Sequence, residues 1–367
     1  MVGAIKKTKI NMGTFDLVKG LAMILIVLDH MIPHYDLPAI APENSALLIL
    51  AFLIRVIGVG INPVFFVIRG YMFKEKPAGK MLKKSFSACI KPYIYMMLAV
   101  AVLYPAVHSI QYGFGPAAFR QAARWVLAFL FGLHDPVSKQ KVIFGIEVRA
   151  CWVAWFLLTI FLASNVFNLI LKVKNTVAQI VLMVLSVAIG YVLSLTGFTY
   201  FCLPQGLIAV GYCWAGYMLR KTNFFDRKRS VQIGISLILL AVTVWEAIYG
   251  NCSLPYNEYK YGLLEFVGTC CAGSLLLILS LRLGQWEWKG LDWMKQIGIY
   301  AFWIMCVHGV ELICLPWNKI VKAMPEYPLL AFAIEIALKV LIFTVSCTVL
   351  RIISQRKYQR MRARKCS

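Results

Sequence analysis

Two basic groups stand eleven residues apart in an otherwise apolar stretch: Lys19 and His30 in FDLVKGLAMILIVLDHMIPHY, residues 15–35. Imidazole exchanges protons near neutral pH, and lysine supplies a fixed positive charge. On a helix, eleven steps of about 100° end some 20° past three turns, so both groups share a face, about 16 Å apart. A charge kept in a membrane span usually faces a bundle interior or a wet cavity, so this stripe implies a polar path. The bland alternatives are an interfacial histidine bonded to a neighbouring helix and a lysine snorkelling to headgroups. Asp29 projects about 100° away from His30 and could orient another group, and His34, beyond Pro33, reads as a loop residue.

A second polar pair lies late in the chain. His308 and Glu311 are three residues apart, a spacing that puts them on one helix face as a second polar site or as a lock between helices. Glu335 and Lys339 are four apart in the order that favours a simple ion pair. Glu246 and Glu265 also fall in or near apolar stretches.

These residues need an all-α scaffold. The chain has 367 residues and is 60% hydrophobic. Its apolar residues fall in blocks of about 17–25, enough to cross roughly 30 Å of hydrocarbon. Ten spans are expected, at residues 15–33, 46–73, 91–110, 150–171, 176–196, 201–220, 231–249, 261–281, 297–316 and 328–350. With the N-terminus inside, the inner segments carry 26 of the 38 lysines and arginines, the outer ones 8, and the spans 4. That bias puts both termini in the cytoplasm. Residues 119–135 are apolar but short, and are expected to form an interfacial or re-entrant helix, because a crossing there would invert every later loop.

The expected organisation is a membrane domain, 1–350, followed by a basic cytoplasmic tail, 351–367, that can touch anionic lipid. The start resembles a signal peptide but carries no small-residue cleavage site, so it reads as a retained first span. A net charge of +22 would suggest nucleic acid in a soluble protein. Here the positive-inside bias explains it, and no zinc-finger spacing or phosphate loop supports a nucleic-acid partner. The eleven cysteines show no metal spacing and read as small apolar fillers.

Lys19, ten intervening residues and His30 match the opening signature of the acyltransferase family 3 membrane proteins. GVGINPVFFVIRGYMF (58–73), KKSFSACIKPYIYMM (83–97), WVAWFLLTIFLASNVF (152–167) and IGIYAFWIMCVHGVEL (297–312) resemble that family's further segments in order. The resemblance implies a bacterial plasma-membrane O-acyltransferase. It would move an acyl group, commonly acetyl, from cytoplasmic acyl-CoA to a hydroxyl of an envelope glycan, without a tightly bound cofactor or metal. His30 matches the essential residue and Lys19 its basic partner. Some relatives carry an extracellular hydrolase-like domain that this sequence omits, so the expectation is either direct delivery by this protein or a separate extracellular transferase that finishes the transfer.

Two departures stand out. Arg69 replaces the usual small serine, where it could bind a donor phosphate or block the tunnel, and Lys19 replaces the commoner arginine. Lys83, Lys84 and Lys91 are candidate contacts for the donor's phosphates, although loop charge alone explains them. Glu147, Arg149 and Trp155 are candidates on the acceptor side, although loop solvation is the default for Glu147 and Arg149, and Trp152 and Trp155 read more readily as interfacial belt or packing residues than as a sugar platform. The rival readings are a transporter of a small polar solute, such as an amino acid, and a scaffold for polysaccharide assembly.

Overall fold

A computed structural model describes residues 14–31, 53, 55–135, 141–283 and 289–366. Helices dominate: α1 (Thr14–Met31), α2 (Ile61–Tyr71), α3 (Ala78–Ser85), α4 (Lys91–Tyr112), α5 (Pro116–Phe131), α6 (Trp155–Leu171) and α7 (Thr176–Leu195). They continue as α8 (Leu203–Lys221), α9 (Arg229–Tyr249), α10 (Leu263–Leu283), α11 (Asp292–Cys314), α12 (Asn318–Ala323) and α13 (Pro328–Cys366). A π-helical turn, Phe86–Ile90, joins α3 to α4. A two-stranded hairpin, β1 (Val142–Ile143) and β2 (Ile146–Glu147), follows α5.

Among the described residues seven helices are long and apolar enough to cross a membrane. They coincide with seven of the ten expected spans. The other three differ for visible reasons. α1 carries Asp16, Lys19 and Asp29 in 18 residues. In the stretch 46–73 the described helix α2 is only 11 residues long, and residues 46–52 and 54 lie outside the described residues, as does His34. α8 is diluted by Gln205, three glycines and three aromatic residues, yet it is buried along much of its length, from Pro204 to Gly216. The short apolar stretch at 119–135 forms α5, 16 residues long. The basic segment after residue 350 continues α13 without a break to Cys366. All ten described cysteines are free thiols, six of them buried.

Glycines let the central helices touch at the backbone, a device suited to lipid, where close packing replaces the hydrophobic drive. A Cβ on Gly20 of α1 would fall 2.0 Å from the Met294 carbonyl oxygen of α11, and one on Gly298 would fall 1.7 Å from that of Asp16. Gly70 of α2 and Gly216 of α8 make a second such crossing, against Cys213 and Val67. The first crossing sets the site. His30 lies ten residues beyond Gly20, and His308 ten beyond Gly298. The two helices leave the crossing in the same direction, so equal offsets bring the histidines to one level, about 15 Å away.

Candidate active site

The two imidazoles meet. Their ring centroids are 5.2 Å apart, and His308 Nε2 lies 3.3 Å from His30 Nδ1. His30 Nδ1 is also 2.8 Å from the Ile26 carbonyl, one turn back. A carbonyl only accepts, so this contact assigns the proton to Nδ1 and the ring lone pair to Nε2. On the other side, His308 Nδ1 donates to Glu311 Oε1 at 2.6 Å. That fixes Nε2 of neutral His308 as the acceptor facing His30.

The chain of contacts runs further than sequence spacing indicates. Lys339 Nζ donates to Glu311 Oε1 at 2.7 Å and stands 3.7 Å from Glu335 Oε1. The Lys339–Glu335 pair therefore exists, but the shorter contact is to Glu311 on another helix. The ammonium also lies 4.0 Å from the centroid of the Trp317 ring, a cation–π contact. His308, Glu311, Glu335 and Lys339 are all buried, none more than 4% exposed. Isolated charges at such depth are prohibitive, so the group holds together as a unit. Trp152 closes the His30 side edge-on at 6.3 Å, from a backbone held at φ 45°, an uncommon value for a bulky residue.

Lys19 is placed differently. It ion-pairs with Asp16 at 2.5 Å, one turn back on α1. A cavity of about 390 Å³ between α1, α11 and α13 takes in Met23, Val27 and Met31 but neither Lys19 nor His30. Asp29 is exposed, away from the histidine pair.

Of the expected donor contacts, Arg69 and Lys84 come together and Lys76 joins them, each within electrostatic range of Lys84. Arg69 Nε donates to Ser164 Oγ of α6 at 3.0 Å, and its guanidinium lies 5.4 Å from the centroid of Phe73. Asn168, one turn beyond Ser164, holds the Lys76 backbone through both its amide nitrogen and its oxygen. Among the described residues no acid pairs with these three cations. Lys83 and Lys91 are exposed.

The expected acceptor residues divide. Glu147 binds the Arg124 guanidinium, and Arg149 lies 5.8 Å from the Trp125 ring, so both tie the hairpin to α5. Trp155 is buried and sits 5.9 Å from His134, which sequence reading missed. His134 stacks on Tyr256 at 4.8 Å and 12°. Burial first, and then the charge of nearby His30, pull the His134 imidazole down to about 3, so it stays neutral. Its Nδ1 is buried without a hydrogen-bond partner among the described residues. The sequence signal was a His-Asp pair closing the short apolar stretch. Among the described residues no group of three or more His, Cys, Asp or Glu side chains is arranged to hold a metal ion.

Residues 12–351 match the model of the acyltransferase domain of the acyltransferase 3 family. A stretch of 118 residues is 23% identical to NADH-ubiquinone oxidoreductase chain 5 of Caenorhabditis elegans. It covers 32% of this chain and 22% of that protein, so the chain spans less than a quarter of that protein's length. No solved structure matches.

Proposed function

Because the chain belongs to the acyltransferase 3 family, we propose that it is an O-acyltransferase in which His30 and His308 act as a proton relay. The donor in this reading is cytoplasmic acyl-CoA, commonly acetyl-CoA, and the acceptor is a hydroxyl of an envelope glycan at the opposite face. The reading includes ten spans with both termini inside, which follows from the 26-to-8 bias in basic residues. The carrying observation is the line from His30 through His308 to buried Glu311, with contacts of 3.3 and 2.6 Å.

The chemistry balances without a further reagent. The acceptor hydroxyl gives its proton to His30 Nε2 as its oxygen attacks the thioester carbonyl. His30 Nδ1–H shifts toward His308 Nε2, and the positive charge spreads toward Glu311. Collapse of the tetrahedral intermediate forms the ester, breaks the carbon–sulfur bond and releases the thiolate, which takes back the proton. An acid behind an imidazole performs the same orienting and charge-stabilising role in hydrolase triads. Glu311 behind His308 favours His30 as base over His30 as acyl carrier, since its carboxylate stabilises a proton on the histidine pair. Arg69, Lys76 and Lys84 supply uncompensated positive charge for the donor's phosphates, and Arg69 offers the bidentate fork. Lys83 and Lys91 add long-range attraction. Trp155, His134 and Tyr256 form an aromatic wall on the acceptor side.

The test is transfer of label from [14C]acetyl-CoA to envelope glycan by the full chain in proteoliposomes. Wild type is expected to transfer label and His30→Ala to lose it while inserting normally. No transfer to any glycan, together with counterflow of a polar solute, would favour the transporter reading.

A further inference from the structure

The cavity between α1, α11 and α13 is a groove of stated chemistry. Its walls are aliphatic and aromatic, among them Val27, Ile304, Val340 and Phe343. Its two charged residues lie toward opposite ends along α13: Lys339, with Ile336 one turn beyond it, and Arg351. No carboxylate lines it among the described residues. Along α13 the two cations are twelve residues apart, about 18 Å at 1.5 Å per residue. One leaflet of hydrocarbon is about 15 Å thick, half of a core of roughly 30 Å. The groove therefore has the length of one lipid tail, an apolar bore, and a cation at the end where a headgroup would sit. Lys339 is turned into Glu311 and is 1% exposed, whereas Arg351 is exposed. Only Arg351 is available to an anion. Beyond it α13 carries a further run of lysine and arginine in sequence, a composition attracted to anionic membrane surfaces.

We propose that this groove binds one acyl tail of an anionic phospholipid whose phosphate pairs with Arg351. The tail would complete the apolar wall beside the Lys339–Glu311 pair and keep water from it. The proposal does not depend on the acyl-transfer reading.

Full-length protein is reconstituted in nanodiscs of phosphatidylcholine containing a minor fraction of phosphatidylglycerol, then weighed intact by native mass spectrometry. One retained phosphatidylglycerol per chain is expected, in preference to the more abundant phosphatidylcholine. Arg351→Gln, a surface change with little effect on folding, is expected to lower that preference about tenfold, the scale of one charge-assisted contact. Thr344→Trp, which fills the groove, is expected to release both lipids. No retained lipid, or retention unchanged in both variants, overturns the proposal. So does one-for-one displacement of the phospholipid by long-chain acyl-CoA, which would make the groove part of the donor site.

Discussion

Two charged regions of this molecule solve opposite problems. Around His30 the described polar groups answer one another: His308 meets Glu311, Glu311 meets Lys339, and Lys339 meets Glu335 and Trp317. Around Arg69, Lys76 and Lys84 the described partners are neutral groups, Ser164 and Asn168. The first arrangement is closed and buried, and holds its own charge. The second is half open and has positive charge to spare. A buried, compensated group suits holding and passing a proton. An accessible, uncompensated one suits receiving an anion from outside. In the proposed reading, catalysis belongs to the first region and donor binding to the second.

The sharpest way to break this contrast is at His30. His30→Ala is expected to lower kcat by about 10²- to 10⁴-fold, the range for general acid–base catalysis, with donor KM nearly unchanged. Purified proteoliposomes and labelled donor give both numbers. Next comes the charge balance behind it. Lys339→Met strands buried Glu311 and is expected to destabilise the fold by about 3–5 kcal/mol in denaturant unfolding. Adding Glu311→Gln to that variant is expected to restore much of the loss, because the buried side chain at 311 then carries no charge to strand. If the double variant is as unstable as the two single losses added together, the group is not a coupled unit.

The open region should respond in the other kinetic constant. Arg69→Ala is expected to raise the donor KM by about 10- to 100-fold, the worth of a charge-assisted contact, while leaving kcat near wild type. A loss in kcat alone would move Arg69 out of donor binding. Dephospho-CoA thioesters should narrow the gap between variant and wild type if Arg69 meets the phosphate that they lack.

The effect that is smallest near neutral pH is on the pH dependence of stability. His134 has a folded-state value of about 3, against about 6.5 when unfolded. Above pH 6.5 neither state holds the proton. As pH falls from 6.5 toward 3, only the unfolded state takes it, so His134 lowers stability by up to about 1.4 kcal/mol per pH unit. His134→Gln should remove that contribution, seen as a shallower acid limb than wild type in denaturant midpoints. Identical limbs would mean that His134 is protonated in the folded protein.

Much of the scaffold was legible because its helices are apolar blocks of bilayer length, and periodicity alone reveals such blocks. His30, and the His308–Glu311 pair on one helix face, were legible for the same reason: local spacing determines local faces. What spacing cannot give is which faces meet. Glu335 and Lys339 read as a sufficient pair in sequence, yet Lys339 turns to Glu311 on α11. One signal for the central contact was present. Gly20 and Gly298 each stand ten residues before a histidine, and two backbones touching at glycines align whatever follows at equal distance. His134 was missed because its segment is short and apolar, and nothing local shows that Trp155 and Tyr256 close on it. Lys76 was missed because in sequence it is one loop cation among several.

The central claim is that the two imidazoles work as one device, and their energetic coupling tests it most directly. Acetyl transfer is measured for His30→Ala, His308→Ala and the double variant, each normalised to folded protein. Residues acting as a unit lose function together, so the double variant is expected to be no slower than the worse single one. A His308→Ala enzyme with wild-type turnover, or losses that multiply in the double variant, would contradict the relay.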